Sequence, residues 1–143
     1  MASDLVTGKA VFDSYAAEYD LWYQTPKGRY ADVLERELFL RLIQPEPGQS
    51  LLDVGCGTGH NLAFFKELGL EVAGIDASKS MLDIASSKFG AEVGLYHGQA
   101  EELPFDNNSF DIVTLITLLE FTSDPTRVLE EAARVARAQI YLG

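Results

Sequence analysis

Short apolar runs alternate with amphipathic segments along most of this chain, starting after a break of two prolines and a glycine at 45–48. Apolar runs of strand length predict β-strands near 50–54, 71–75, 92–96, 110–116 and 139–142. The segments between them predict helices over 59–68, from Ser78 and from Pro125, where Asp124 provides an N-cap. Strands and helices that alternate in this way predict a mainly parallel α/β sheet with helices on both faces.

Before the break the hydrophobic pattern has the period of a helix. A short helix is predicted over 11–20, and a longer one over 28–43. In the first, one side carries Phe12, Tyr15, Ala16 and Tyr19. In the second, the residues on or beside the inner stripe are Val33, Leu34, Leu38, Arg41 and Leu42. We expect residues 1–143 to form a single domain, in which a helical lid or cap (1–44) covers a sheet core (50–143).

Three glycines at alternate positions follow the first predicted strand, and a helix is predicted directly after them. They are Gly55, Gly57 and Gly59. Because glycine adopts positive φ and has no Cβ, such a loop turns sharply and lets a ligand approach the backbone. The next helix directs free N–H groups and its positive dipole end at the same place. The pattern predicts a nucleotide-type binding site in an open α/β sheet.

The spacing of the glycines distinguishes between nucleotide-binding families. The dinucleotide fingerprint G-x-G-x-x-G does not fit, because its third glycine would fall on His60 or Leu62. A nicotinamide-dependent dehydrogenase is therefore disfavoured. The string D-V-G-C-G-T-G, from Asp53 to Gly59, resembles motif I of the class I S-adenosylmethionine-dependent methyltransferases. The resemblance implies a Rossmann-like doubly wound sheet, S-adenosylmethionine as cofactor and S-adenosylhomocysteine as product.

An acid ends the second predicted strand. Asp76 lies 21 residues after Gly55, where an acid in a doubly wound sheet accepts hydrogen bonds from ribose hydroxyls. The alternative is that Asp76 only caps the following helix. Ser78 is the better candidate for that cap, so we expect Asp76 to bind the ribose.

The resemblance also implies roles for residues around the loop. Gly55 and Gly57 would lie under the methionine part of the cofactor, beside Cys56 and Gly59, and Asp53 would reach its amino group. Asp53 could instead, or in addition, bind the amides of its own loop. Cys56 is expected to be a small filler of a crowded loop. Ala77 and Met81 would flank the adenine, although Met81 could also be part of the core.

Two further segments match the family pattern in part. The stretch at 98–105 resembles the family's D-A-E-x-L-P-F, with Gln99 in place of the usual acid. Gln99, Ala100 and Glu101 would then read the adenine edge, while residues 103–105 would pack. After the fourth strand, Thr117 and Leu118 would touch the cofactor.

The aromatic residues of the first helix have two interpretations. Tyr15 and Tyr19 could close over the cofactor as a lid, since aromatic faces attract a cationic sulfonium. They could equally pack the helix on the sheet. Trp22 and Tyr23 follow them in the sequence.

The catalytic residue stays unknown from the sequence. Methyl transfer from a sulfonium releases a neutral thioether, so no acid is needed and positioning can supply much of the acceleration. A base is required only if the acceptor must lose a proton. Glu120 is the candidate in the segment after the fourth strand, but a solvated acid at a helix start is the simpler interpretation.

The composition limits the classes of binding partner that we expect for this chain. A formal net charge of −11 disfavours nucleic acid, whose binding depends on Lys and Arg, although acidity also serves solubility. No apolar run has membrane-spanning length, so we expect no membrane partner. The N-terminus lacks the blocks of a signal peptide, which makes cytoplasmic location the default expectation. The single cysteine excludes an internal disulfide, and His60 and His97 lack metal-site spacing, so no metal is expected.

The resemblance covers nearly all of this chain but only part of the family's fold. Class I methyltransferases usually have seven strands in the order 3-2-1-4-5-7-6, and only the first five can be matched here. We expect either a truncated or a minimal natural form of this fold. The fifth strand would be an apolar sheet edge, which predicts a homodimer or a covered edge. We expect a small-molecule acceptor, and the alternative is a non-catalytic module that binds S-adenosylmethionine or S-adenosylhomocysteine.

Overall fold

A five-stranded parallel sheet, with helices on both faces, forms the centre of the molecule. The computed structural model describes residues 8–143, with side chains from Tyr15 onward. The strands are β1 (Ser50–Val54), β2 (Glu71–Asp76), β3 (Gly94–His97), β4 (Phe110–Leu115) and β5 (Ala136–Leu142). The helices are α1 (Gly8–Trp22), α2 (Pro26–Ile43), α3 (His60–Glu67), α4 (Lys79–Phe89) and α5 (Pro125–Val135). The predicted fold class, Rossmann-like with five strands, is confirmed.

The strand order β3-β2-β1-β4-β5 places the topological switch point at the centre of the sheet. β1 lies between β2 and β4, so the chain leaves it in one direction toward β2 and later returns on the other side. In open α/β sheets ligands bind outside the carboxyl ends of the strands at this point. The loop that follows β1 is therefore at the predicted place for a site.

Residues of β1 alternate between the two faces of the sheet, as strand geometry requires. Leu52 and Val54 join a core cluster with α5, through Val128, Ala132 and Val135. Leu51 joins the opposite cluster, which includes Phe39 of α2, Phe65 of α3 and Tyr141 of β5. Both faces are thus covered by helices, and β1 is buried from Leu51 to Val54.

The predicted inner stripe of α2 was wrong. Val33, Leu34, Leu38 and Leu42 are between 45% and 62% exposed, and Arg41 is exposed as well. The buried positions are Gly28, Phe39 and Ile43. Apolar residues occupy most of the circumference of α2, so periodicity alone does not select a face. The Phe39 ring decides it, because it packs against the rings of Phe64, Phe65 and Tyr141.

The predicted lid helix falls only partly among the described side chains. Ala16 is buried, whereas Tyr15 is 57% exposed. Phe12 lies outside the side chains that the structure describes. The helix also continues beyond the predicted end at residue 20, to Trp22.

A capped turn joins α1 to α2. The Thr25 hydroxyl accepts a hydrogen bond from Gly28 N (3.0 Å) and donates one to Trp22 O (2.7 Å). Thr25 is the N-cap and Pro26 occupies the first turn, where its missing N–H costs nothing. For this reason α2 starts two residues earlier than predicted.

β5 lies at one edge of the sheet and has β4 as its neighbour among the described strands. Ile140 and Leu142 are partly exposed there. The dimer or covered edge therefore stays a prediction. None of the helices within residues 8–143 is long and apolar enough to cross a membrane.

Substitution of Gly28 tests the turn between α1 and α2. A Cβ at this position would lie 2.0 Å from Trp22 O and 3.0 Å from Tyr23 Cα, and backbone atoms move only at a cost. We expect Gly28→Ala to lower the free energy of unfolding by about 1–3 kcal/mol, as overpacking does. Urea denaturation measures the change, and Lys27→Ala, in the same turn, is the control. Equal stability of Gly28→Ala and the parent chain would contradict the contact.

Candidate cofactor site

The glycine loop closes onto the carboxyl end of β2. Gly55, Gly57 and Gly59 have φ values of 77°, 54° and 85°, in the left-handed region that glycine tolerates. Gly55 N and Cys56 N both donate to Ile75 O, at 2.8 and 3.1 Å. Gly59 N donates to Cys56 O (3.0 Å). The loop is thus a tight structure whose first amides are used by the protein itself.

The three glycines serve different purposes. A Cβ on Gly55 would lie 2.7 Å from Leu118 Cδ1, and one on Gly59 would lie 2.5 Å from Phe89 Cε2. These two glycines are explained by packing within the protein. A Cβ on Gly57 would meet only the Met81 sulfur, at 4.0 Å. Gly57 is therefore the position of the loop where a side chain would meet open space.

Asp76 links the loop to the start of α4. Its Oδ2 accepts from Gly57 N (2.9 Å) and its Oδ1 accepts from Ser78 N (2.8 Å). The Ser78 hydroxyl in turn accepts from Met81 N (3.3 Å), so the prediction that Ser78 caps this helix is confirmed. Each oxygen of a carboxylate can accept a second hydrogen bond. The ribose role of Asp76 is compatible with these contacts and stays a prediction.

Asp53 is a buried carboxyl at the end of β1. It is 2% exposed, and its Oδ1 accepts from the Thr114 hydroxyl (2.7 Å) of the neighbouring strand β4. The amides of Gly55 and Cys56 do not serve it, since both donate to Ile75 O. Burial raises the pKa of Asp53 to about 7, the hydrogen bond from Thr114 counteracts this, and the Asp76 carboxylate adds to it. An uncompensated acid in this position favours a cationic partner.

The loops after β2 and β3 lie side by side. The His97 ring Nε2 is hydrogen-bonded to Ala77 O (3.0 Å), and Gly98 N donates to Asp76 O (3.1 Å). Gln99, directly after this contact, is exposed, and Ala100 packs against the core cluster of α5. Met81 is buried below the loop. The residues predicted to lie beside the adenine thus follow the ends of the adjacent strands β2 and β3. They are Ala77, Met81, Gln99, Ala100 and Glu101.

An ion pair between the buried Glu131 and the partly exposed Arg134 holds the segment after Gln99. Glu131 Oε2 accepts from Leu103 N (2.8 Å), and Arg134 donates to Leu103 O (3.0 Å) and Phe105 O (2.6 Å). Hydrogen bonds from Arg134 hold the pKa of Glu131 down to about 2. Leu103 is buried, as predicted for this packing stretch.

The segment after β4 reaches the loop from the other side. The Leu118 side chain contacts Gly55, as the short Cβ distance above indicates. Thr117 has φ of 50°, which is unusual for a β-branched residue, and its N–H donates to Gly143 O (2.9 Å). Glu120 is exposed in a short 3-10 helix, which favours the interpretation as a solvated acid.

Tyr19 lies at the site, and Tyr15 does not share its surroundings. Burial raises the pKa of the Tyr19 phenol, and the carboxylates of Asp53, Asp20 and Asp76 raise it further. The Tyr19 hydroxyl is therefore close enough to Asp53 and Asp76 for their charges to affect its pKa. Tyr15, being mostly exposed, lacks such an environment, so its lid role is the weaker part of that prediction.

Sequence reasoning missed a group of residues that connect α1 and α2 to the loop. The Tyr23 ring stacks on the His60 ring, with centroids 3.6 Å apart and planes at 12°. His60 Nε2 is hydrogen-bonded to Asp32 Oδ1 (2.8 Å). The Thr58 hydroxyl donates to Asp20 Oδ1 (2.5 Å). The helical spacing of Tyr19 and Tyr23 was the one signal in the sequence, since the partners in the other three pairs are 37, 28 and 38 residues apart.

Comparison with known proteins agrees with this geometry. A family described as "Methyltransferase domain" matches residues 52–142, from β1 through β5. The chain belongs to the S-adenosylmethionine-dependent methyltransferases. A nicotinamide-dependent dehydrogenase, the least favoured alternative, is therefore set aside.

Two curated relatives and one solved structure illustrate the similarity to this methyltransferase chain. An uncharacterized protein of Methanocaldococcus jannaschii is 38% identical over 127 residues, which cover 89% of this chain and 56% of the relative. Demethylmenaquinone methyltransferase of Bacillus cereus is 34% identical over 134 residues, with the same coverage. A Thermotoga maritima structure described as a SAM-dependent methyltransferase, possible histamine N-methyltransferase, has a TM-score of 0.74 at 30% identity and covers 94% of this chain and 59% of its own. The chain thus spans little more than half the length of these proteins.

No group of three or more His, Cys, Asp or Glu side chains that could hold a metal ion occurs in the part of this methyltransferase that the structure describes. Cys56 is buried, and burial raises the pKa of its thiol well above the usual value. A neutral, enclosed thiol agrees with the prediction that Cys56 fills space in the loop.

The buried carboxyl predicts how the stability of the ligand-free chain depends on pH. An unperturbed aspartate has a pKa of 3.8, against about 7 for Asp53 in the folded chain. Between these values the unfolded chain releases a proton that the folded chain keeps, so this contribution to stability is lost as pH rises to 7. At about 1.4 kcal/mol for each pKa unit, the loss is at most roughly 4 kcal/mol.

We therefore expect Asp53→Asn to gain stability relative to the parent chain between pH 4 and pH 8. Asparagine keeps an acceptor for the Thr114 hydroxyl and carries no charge. Urea denaturation at each pH measures the difference, and Asp83→Asn, at an exposed carboxylate, is the control. A difference that stays constant over this range would show that Asp53 titrates normally.

Proposed function

We propose that this protein binds S-adenosylmethionine in the crevice at Gly57 and transfers a methyl group to a small-molecule acceptor. The observation that carries the proposal is the open backbone at Gly57 between two acids, Asp53 and Asp76, at the ends of adjacent strands. An adenosylated amino acid has complementary features, an ammonium at one end and ribose hydroxyls at the other. Family membership supports the same cofactor.

The residues present can be assigned to the parts of this cofactor. Asp53 would face the ammonium, directly or through water, and Asp76 would accept from the ribose hydroxyls. Ala77 and Met81 would flank the adenine, and Gln99, Ala100 and Glu101 would follow its edge. Gly55, Cys56, Gly59, Thr117 and Leu118 would complete the wall at the methionine end. The positive dipole end of α3, which begins after Gly59, would attract the carboxylate of the cofactor.

The chain's contribution to catalysis would be positioning. S-adenosylmethionine, when bound, supplies a methyl group on a positively charged sulfur. Asp53 and Asp76 would fix the two ends of the cofactor, and Tyr19 would cover it with a neutral phenol. Holding two reactants in line for displacement is worth effective molarities of about 10⁵ M or more. A general base is not assigned, because Glu120 is solvated.

The acceptor is proposed to be a small molecule. The relative named Demethylmenaquinone methyltransferase supports this class. The matched region is little more than half of that relative, so turnover by these 143 residues is itself part of the proposal. The second candidate is a module that binds the cofactor without turning it over. A cytoplasmic location and a homodimer stay sequence-based predictions.

Calorimetric titration tests the cofactor. We expect S-adenosylhomocysteine to bind and NAD to fail, because the loop lacks the spacing that receives a pyrophosphate. Binding of NAD in preference to S-adenosylhomocysteine would refute the proposal. A transfer assay with methyl-labelled S-adenosylmethionine and a panel of small acceptors then separates enzyme from binding module. Turnover supports the enzyme, and retained binding without any turnover favours the module.

The ribose role of Asp76 has its own test. We expect Asp76→Ala to weaken S-adenosylhomocysteine binding at least about tenfold, since a hydrogen bond to a charged group contributes roughly 1.5–3 kcal/mol. Because Asp76 also holds the loop, the same titrations use the 2′,3′-dideoxy analogue as a control. The parent chain should prefer the hydroxylated ligand, and the variant should not. An equal preference in both proteins would refute the ribose role.

The buried acid should also make cofactor binding depend on pH. Below pH 7 Asp53 is mainly protonated and loses its attraction for the ammonium, so binding should tighten as pH rises from 6 to 8. We expect Asp53→Asn to bind more weakly at pH 8 and to show a flatter profile over this range. A parent chain whose affinity is unchanged from pH 6 to 8 would argue against the contact.

A further inference from the structure

Two residues, one in the glycine loop and one at the start of α3, hold the helical cap (α1 and α2) above the site. They are Thr58 and His60, on either side of Gly59. Thr58 is fully buried, and its hydroxyl donates to Asp20 Oδ1 at 2.5 Å. Asp20 is the residue after Tyr19 and also forms an ion pair with Lys88 of α4 at 2.6 Å. One contact thus connects the loop, the cap and α4 next to Tyr19.

The second contact follows the last turn of α1. The flat stack of Tyr23 on His60 fixes the orientation of the Tyr23 ring. His60 is itself fixed by Asp32 of α2, and Asp32 Oδ2 pairs with Arg36 Nε at 2.9 Å. The Tyr23 hydroxyl lies 3.3 Å from the Tyr19 hydroxyl, and their rings pack edge to face. Contacts therefore run without a gap from α2 through His60 and Tyr23 to Tyr19.

Tyr19 is the residue on which both contacts converge. Its phenol lies near the carboxylates of Asp53 and Asp76, the two acids assigned to the cofactor. Because Thr58 lies in the loop and His60 begins α3 directly after it, the position of Tyr19 is set relative to Gly57 and not only relative to the sheet. A change in the loop is transmitted directly to the residue above it.

From this geometry we infer that Thr58 and His60 are positioning residues that hold Tyr19 over the cofactor crevice. Thr58 acts through Asp20, and His60 acts through Tyr23. Neither residue needs to touch the cofactor in this role. The inference rests on the proposed function, since it assumes that Tyr19 contacts the bound cofactor.

Calorimetric titration with S-adenosylhomocysteine tests the inference. Thr58→Val keeps the shape of the side chain and removes the hydroxyl, and His60→Ala removes both the stack and the hydrogen bond. We expect each to weaken binding about fivefold to twentyfold, a coupling in the range measured between packed neighbours. Thr58→Ser keeps the hydroxyl and should remain within about twofold of the parent chain. Tyr30→Phe, on the exposed side of α2, is the control for loss of a surface phenol.

A double-mutant comparison separates positioning from a general loss of structure. If Thr58 acts through Tyr19, Thr58→Val should change affinity less than about twofold when Tyr19→Ala is already present. The same loss in both backgrounds would overturn the inference, and so would unchanged affinity of both Thr58→Val and His60→Ala. Should Thr58→Val fail to fold, Asp20→Ala removes the contact from the cap side and leaves the loop sequence intact.

A measurement without ligand tests the positioning role of Thr58 and His60 independently of the proposed function. Trp22 is the single tryptophan, and its ring centroid is 5.1 Å from that of Tyr23. We expect acrylamide to quench Trp22 more strongly in His60→Ala and Thr58→Val than in the parent chain. If the parent chain fails to bind S-adenosylhomocysteine, the proposed function fails. Increased quenching of Trp22 in the variants would still support the inference that Thr58 and His60 fix the helical cap. Unchanged quenching would overturn that inference.

Discussion

The candidate site depends on the hydrogen bonds between the glycine loop and the end of β2. Ile75 O receives two loop amides and the Asp76 carboxylate receives a third, from Gly57. These bonds fix three consecutive residues against a strand that is itself paired to β1 along its length. A ligand at Gly57 would therefore meet a backbone whose shape is set before it arrives. Such preorganisation lowers the cost of binding, because little chain entropy remains to be lost.

The ends of β1 and β2 also bring two carboxyl groups, Asp53 and Asp76, close together. Within the protein, Asp53 has one hydroxyl donor to offset its charge. Asp53 is buried with one hydroxyl donor from Thr114, and Asp76 raises its pKa further. Two acids at adjacent strand ends would destabilise an ordinary core. Under the proposed function the cost has a purpose, since the ammonium of the cofactor would supply the missing counter-charge. A lower intrinsic stability of the free chain and an affinity for this cation would then have one cause.

The helical cap adds an upper wall that the sheet does not provide. α1 reaches the loop through Asp20 and Tyr23, and α2 reaches it through Asp32. Both helices are tied to residues next to Gly59, so the cap and the crevice form one unit. The exposed apolar residues of α2 and the edge strand β5 take no part in these contacts.

The sequence by itself determined the order of the elements and the place of the glycine loop at the end of β1. Strand-length apolar runs, the glycine spacing and the two acids at strand ends are local signals, because each reports on a few consecutive residues. They were sufficient for the five strands, the parallel topology, the Ser78 cap and the family. They failed where the local pattern was ambiguous, as on α2, whose apolar residues surround the helix and whose buried face was mispredicted.

Only the tertiary structure decided which groups meet across elements. The partner of Asp53 is Thr114, which becomes its neighbour through the register of β1 and β4. Thr58 meets Asp20, and His60 meets both Tyr23 and Asp32, over separations that no periodicity describes. Packing also showed that Gly55 and Gly59 accommodate Leu118 and Phe89, leaving Gly57 open. Such contacts depend on how whole helices and strands are placed in space, and a short stretch of sequence carries no record of that placement.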